Sequence, residues 1–175
     1  MARSFFKLAI PSIGLNAPNV TYRINLSDNH TVPWSADAFD IITTYVKSTA
    51  RHLVFNCHGF AWRESFPAPH LSLGTVFHPG NVAAFDPIQQ MNGLFVIWLS
   101  ACNIACSEAG RNFLQDISRH AYAYVVGAAM PVGDIQCPKY CVEDWSGSMP
   151  VYIEPGGRLM ARSEFLQLKT FLGIT

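Results

Sequence analysis

The amino-acid sequence predicts an α/β protein, a three-layer α/β/α sandwich around a mainly parallel central sheet. Short apolar runs typical of strands alternate with segments in which apolar residues recur at helical spacing. The runs "HLVFNC" and "LFVIWLS" are almost continuously apolar, as expected of parallel strands covered on both faces. The length of 175 residues suits a single domain over residues 1–175, and 50% hydrophobic with 14% charged residues indicates a globular chain.

The first third of the chain predicts two strands, a helix and a third strand. "SFFKLAIPS" (Ser4–Ser12) is interpreted as a strand and not as a signal peptide, because Lys7 and Pro11 interrupt its apolar stretch. Residues 14–34 are rich in turn formers around one further strand, "VTYRINL". Ser35 is predicted to cap a helix over "ADAFDIITTYVKSTA", and "HLVFNC" follows as a buried strand.

The rest of the chain continues the same alternation. "HLSLGTVF" is interpreted as a hairpin arm, and "NVAAFDPIQQM" as a helical segment capped by Asn81 and disturbed by Pro87. "LFVIWLS" is predicted to be a central strand, and Ser107 to cap the helix "SEAGRNFLQDISRHAYA". A strand "YAYVVGAA", a hairpin "PVYIEPGGRLMA" and a terminal helix "SEFLQLKTFLG" complete the prediction.

Charge and cysteine content narrow the class of protein. Twelve basic and twelve acidic residues leave a formal net charge of zero, without the basic stripe that nucleic-acid binding needs. The longest apolar runs are shorter than a membrane span. The odd number of cysteines favours reduced thiols and a cytoplasmic location, although an exported effector would have the same composition. The five are Cys57, Cys102, Cys106, Cys137 and Cys141.

Two predicted central strands end on side chains that can take part in catalysis. His58 and Gly59 directly follow "HLVFNC", and Cys102 follows "LFVIWLS". The carboxyl ends of parallel strands meet at one edge of a sheet, so the imidazole and the thiol could face one crevice. An imidazole can generate a thiolate and then protonate an amine leaving group. The N–H groups of Gly59 and Cys102 could stabilise the oxyanion.

The blocks "FNCHG" and "WLSACN" resemble the signature blocks of the caspase-like (clan CD) cysteine peptidases, which include caspases, legumains, gingipains, separases and CHAT-domain proteases. His58 and Cys102 are 44 residues apart, near the roughly 50 of caspases. "LSAC", the helix "SEAGRNFLQDI" and then "AYVVGAAMPVGD" are most similar to CHAT and separase sequences, and "SLGTVF" fits the CHAT pattern. The resemblance covers about residues 50 to 136. It implies His58 as general base and acid, Cys102 as nucleophile and Gly59 as oxyanion donor.

The resemblance also implies a role in substrate binding for Asp134. In separase-like members, an acidic residue in the corresponding loop faces the basic side chain that precedes the scissile bond, as a carboxylate suits. Asp86 or Glu64 could orient His58, and the sequence does not choose between them.

"CPKYC" (Cys137 and Cys141) suggests a metal site or a disulfide, but no second ligand pair follows at zinc-site spacing, and His70 or His78 could contribute only through folding. We therefore expect no metal and no cofactor.

The sequence leaves three hypotheses about function. The leading one is a cysteine endopeptidase that binds a protein or peptide substrate as an extended strand, cleaves through an acyl-thioester, and selects a basic residue before the scissile bond. A caspase-like scaffold with unused cysteine and histidine is the second. A cysteine hydrolase or acyltransferase acting on a small amide or ester is the third. Oligomeric state stays open.

Overall fold

The computed structural model describes residues 12–20, 26, 28–61, 69–91, 96–130 and 149–168. Within these residues, a seven-stranded sheet has the order β2-β1-β3-β6-β7-β8-β9. Its strands are β1 (Ser12–Asn16), β2 (Asp28–Thr31), β3 (His52–Asn56), β6 (Val96–Ser100), β7 (Tyr124–Ala128), β8 (Pro150–Ile153) and β9 (Leu159–Met160). The first five pair in parallel, and β8 and β9 add antiparallel strands beside β7.

Helices cover both faces of this sheet, which makes the protein the α/β/α sandwich that the sequence predicts. They are α1 (Ala38–Tyr45), a 3-10 helix (Pro79–Phe85), α2 (Asp86–Gln89), α3 (Glu108–Ala121) and α4 (Arg162–Leu168). Strand residues alternate between the two faces: Leu53 and Phe55 join the core beneath α1 and α3, whereas Val54 joins the core that contains Phe165 of α4. None of the helices in the described ranges combines the length and hydrophobicity needed to cross a bilayer.

The central and C-terminal elements match the sequence prediction closely. The core strands β3 and β6 are buried at every residue, as their continuous apolar runs indicated. Ser107 caps α3, because its hydroxyl accepts a hydrogen bond from the Gly110 N–H at 3.0 Å. The predicted C-terminal hairpin is β8 and β9, with a turn through Gly156 and Gly157, both of which have positive φ.

The N-terminal third differs from the sequence prediction in its described strands and at both ends of its first helix. Strand β1 occupies Ser12–Asn16 and β2 occupies Asp28–Thr31, where the sequence suggested turns; both predicted strands lie largely outside the described residues. Helix α1 begins two residues later than expected, because Asp37 and not Ser35 caps it. The Asp37 carboxylate accepts a hydrogen bond from the Asp40 N–H at 2.9 Å. The helix also ends five residues early, at Tyr45.

The middle segment differs in its caps and lengths. The 3-10 helix is capped by His78, whose ring nitrogen accepts a hydrogen bond from the Gly80 N–H. Asn81, the predicted cap, instead lies three residues later, and its side chain accepts a hydrogen bond from the backbone N–H of His78. The predicted helical segment changes from the 3-10 helix to α2 between Phe85 and Asp86, next to Pro87. Pro87 itself lies in the first turn of α2, where a helix needs no N–H from that position. The predicted hairpin arm is β5 (His70–Ser72), which pairs with β4 (His58–Phe60) in a separate two-stranded sheet.

A row of amide side chains runs from Asn29 of β2 to the carboxyl ends of β1 and β3. Asn16 and Asn56 are both buried. The Asn56 amide donates to the Asn16 side-chain oxygen at 2.8 Å, and the Asn16 amide donates to the Asn29 side-chain oxygen at 2.7 Å. Since each buried amide finds a partner on the neighbouring strand, burying these polar groups carries no large penalty.

Candidate active site

The two strand ends that carry His58 and Cys102 are adjacent in the sheet and level with each other. Strands β3 and β6 pair in parallel, with Asn56 opposite Ser100. His58 lies two residues beyond Asn56, and Cys102 lies two residues beyond Ser100. The Cys57 N–H donates to the Ser100 carbonyl at 3.3 Å, which extends the contact past the end of the regular strands. The backbone therefore brings the histidine and cysteine blocks to one edge of the sheet.

Gly59 packs directly on the backbone of the cysteine block. A β-carbon at position 59 would lie 2.7 Å from the carbonyl oxygen of Cys102 and 2.9 Å from the β-carbon of Ala101. Contacts this short leave no room for a side chain, so the close approach of the two blocks requires glycine here. This packing holds the histidine block directly against the cysteine block.

The pairing of β4 directs the N–H of Gly59 away from its hairpin partner. Leu71, which lies opposite Gly59, exchanges both of its backbone hydrogen bonds with Phe77. Because backbone groups alternate in direction along an antiparallel strand, β5 bonds to β4 through the neighbouring pairs, His58 with Ser72 and Phe60 with His70. The Gly59 N–H consequently points away from β5.

The chain turns sharply after Cys102 and enters α3. Asn103 has a left-handed backbone with φ 55°. The turn is bonded to the end of β7, because Asn103 N–H donates to the Met130 carbonyl at 3.3 Å and Ala105 N–H donates to the Ala128 carbonyl at 3.0 Å. A β-carbon on Gly110, in the first turns of α3, would clash with the carbonyl of Ile104. The helix thus holds the turn against the sheet.

The side chains of the site differ in exposure and protonation. His58 is exposed and Cys102 is half-buried. Within the described part of the chain, the imidazole of His58 makes no hydrogen bond; catalytic hydrogen bonds often form only when substrate is bound. Cys57 is buried in the core, where burial and then the nearby Cys102 raise the pKa of its thiol far above the usual 9.0. Cys57 is therefore a packing residue that stays protonated.

Other residues suggested by the sequence lie elsewhere or outside the described residues. Asp86 does not contact His58, because its carboxylate pairs with His120 on α3 at 2.5 Å. Asp134, Glu64, Cys137 and Cys141 fall outside the described residues. Among the residues that are described, no three His, Cys, Asp or Glu side chains cluster as a metal site would require. No disulfide joins any two of the described cysteines, Cys57, Cys102 and Cys106.

No protein-family model matches the chain, and no curated protein matches it significantly.

The geometry of the site adds one residue that the sequence analysis passed over, Asn103. The signal was present, because asparagine tolerates the left-handed backbone of a sharp turn better than most residues do. Its place directly after the candidate nucleophile became meaningful only once the turn was visible.

Proposed function

We propose that this protein is a cysteine hydrolase, a caspase-like peptidase in which His58 and Cys102 form the catalytic dyad. The observation that supports the proposal is the packing of Gly59 on the Cys102 backbone, with a virtual β-carbon only 2.7 Å from the Cys102 carbonyl. A histidine and a half-buried thiol then lie on adjacent, level strand ends. Catalysis by a thiol requires these two groups within reach of each other.

The reaction proceeds in two steps, acylation of Cys102 and hydrolysis of the acyl-thioester. The Cys102 sulfur attacks the substrate carbonyl while His58 accepts the thiol proton, and the tetrahedral oxyanion is bound by the N–H groups of Gly59 and Cys102. The C–N bond breaks as His58 returns the proton to the leaving amine, which leaves an acyl-thioester on Cys102. Water, deprotonated by His58, then cleaves the thioester and restores the free thiol.

The proposed substrate is a protein or peptide bound in an extended conformation beside the sheet edge. Asp134 is proposed to select a basic residue before the scissile bond through a charge-assisted hydrogen bond. A cytoplasmic location is part of the proposal, since Cys102 must remain a reduced thiol to act.

Covalent labelling tests the dyad. Iodoacetamide at neutral pH should alkylate Cys102 much faster than the other thiols, and His58→Ala should remove this preference because no base remains to generate the thiolate. Cys106→Ala is the matched control: Cys106 is also a half-buried free thiol near the site, and its loss should leave the labelling of Cys102 unchanged. Mass spectrometry of the digested protein locates the label. A Cys102 that is alkylated no faster than Cys106 would refute catalysis and leave a scaffold on the same fold.

A panel of peptide chloromethylketones defines the substrate class. Capture of lysine or arginine probes at Cys102, lost in Asp134→Ala, would support the basic specificity, whereas capture that survives this substitution would dismiss it. A Cys102 that reacts with small activated esters but with none of the peptide probes would instead identify a hydrolase or acyltransferase of small amides and esters.

A further inference from the structure

Asn103 directly follows the candidate nucleophile and is held in an unusual conformation. Its φ of 55° lies in the left-handed region, which few residues other than glycine adopt. Asparagine is one of the better tolerated residues there, because its short polar side chain adds little steric cost. A residue in such a conformation beside a reactive group is a reason to ask what its side chain does.

The backbone of Asn103 is fixed on both sides. Its N–H donates to the Met130 carbonyl at 3.3 Å, and its own carbonyl accepts from the Cys106 N–H at 3.2 Å. The nearby residues Ala101 and Ile104 are almost fully buried. Position 103 is therefore part of a rigid frame, which is the condition under which a hydrogen-bond donor can be preorganised for catalysis.

The side chain of Asn103 is available, whereas its backbone N–H is not. The N–H that follows a nucleophile often stabilises an oxyanion, but here it is already bonded to Met130. The side chain is half-buried, and its amide makes no hydrogen bond within the described ranges. An asparagine amide can serve as an oxyanion donor, and its N–H₂ group carries two donors.

We propose that the side-chain amide of Asn103 donates a hydrogen bond to the oxyanion formed when Cys102 attacks an acyl carbonyl. This inference rests on the proposed function and adds a catalytic residue to it. Asn103 moves no proton: the S–C bond forms on Cys102, the bond to the leaving group breaks, and His58 carries the proton. The amide stabilises the negative charge on oxygen, together with the N–H groups of Gly59 and Cys102.

The test compares acyl transfer with alkylation in Asn103→Gly. Glycine suits a positive φ, so this substitution removes the amide without straining the turn. The acylation burst with p-nitrophenyl acetate passes through an oxyanion and should slow by about 10²–10³-fold, the usual effect of losing one such donor. Alkylation by iodoacetamide displaces iodide at a saturated carbon and forms no oxyanion, so its rate should stay at the wild-type value.

Two further variants complete the design. Asn103→Asp keeps the shape but replaces the donor with a negative charge, and should slow acylation at least as much as Asn103→Gly while alkylation again continues. Tyr122→Gly is the matched control, because Tyr122 is also left-handed, with φ 49°, and lies exposed at the end of α3. Both reactions should keep their wild-type rates in that variant.

Each outcome decides between the alternatives. Wild-type acylation in Asn103→Gly would refute the inference alone, because the dyad would still be active. Equal slowing of acylation and alkylation would also refute it, since it would show that Asn103 only shapes the turn around the thiol. A wild-type protein in which Cys102 is neither selectively alkylated nor acylated would overturn the proposed function and the inference with it.

Discussion

Replacing Gly59 with alanine should both destabilise the protein and slow its chemistry. The new β-carbon would start 2.7 Å from the Cys102 carbonyl oxygen, and an ordinary contact begins near 3.4 Å. The two backbones must therefore separate by about 0.7 Å, because neither partner is the flexible end of a side chain. Overpacking of this kind costs about 1–3 kcal/mol of unfolding free energy. Since a misplacement of about 1 Å can lower a rate about 10²-fold, acylation of Cys102 should slow by roughly 10-fold or more.

Urea denaturation and the acylation burst measure the two effects of Gly59→Ala separately. Gly156→Ala is the matched control, because Gly156 has φ +95° and open space around its α-carbon. An alanine there should cost about 1–2 kcal/mol through backbone strain while acylation keeps its wild-type rate. If Gly59→Ala were as stable and as reactive as the wild type, the histidine and cysteine blocks could not be packed as described.

Three further predictions concern buried groups and a helix cap. Burial raises the pKa of Cys57 in the folded state, so above pH 9.0 the folded protein keeps a proton that the unfolded chain releases. The unfolding free energy should therefore fall by up to about 1.4 kcal/mol per pH unit above pH 9.0. Urea titrations that show the same alkaline loss in Cys57→Ala would contradict this. Ser107→Ala removes the hydroxyl that accepts from the Gly110 N–H and should lower the unfolding free energy by about 1 kcal/mol, with Ser163→Ala on α4 as the exposed control. His52→Phe removes the acceptor of the buried Trp98 indole N–H, 3.0 Å away, and should cost about 1–3 kcal/mol in calorimetry, whereas unchanged stability would show that this bond is dispensable.

The parts of the fold that the sequence predicted are those decided by local hydrophobicity. The runs that form β3 and β6 are apolar throughout, and only a strand covered on both faces explains such a run. Strand β1 escaped prediction because it contains Gly14 and Asn16, which locally favour turns. Their places are decided by long-range contacts: a β-carbon on Gly14 would strike the Asn29 side chain, and Asn16 is bonded across two strands.

The sequence predicted which backbone segments meet at the candidate site, but not how those segments pack. Two chemical groups at the ends of consecutive core strands imply proximity if those strands are neighbours, and β3 and β6 are neighbours in register. The packing of Gly59 and the bonded turn at Asn103 depend on how β4 and α3 return to the sheet, which no local pattern encodes. The partner of Asp86 was unpredictable for the same reason, since His120 comes from a helix 34 residues further along.

The amide side chains at the carboxyl ends of β1 and β3 fix the register of these two strands. If β1 slid by one residue against β3, the apolar Leu15 or Ala17 would take the place of Asn16, and the buried Asn56 amide would lose its acceptor. An unsatisfied buried amide costs about 1–3 kcal/mol, and a one-residue slip would also turn the apolar residues of β1 to the wrong face. Asn16 and Asn56, which resemble turn formers in the sequence, therefore fix the position at which β3 ends relative to β1. They thereby also fix the position of His58, two residues later.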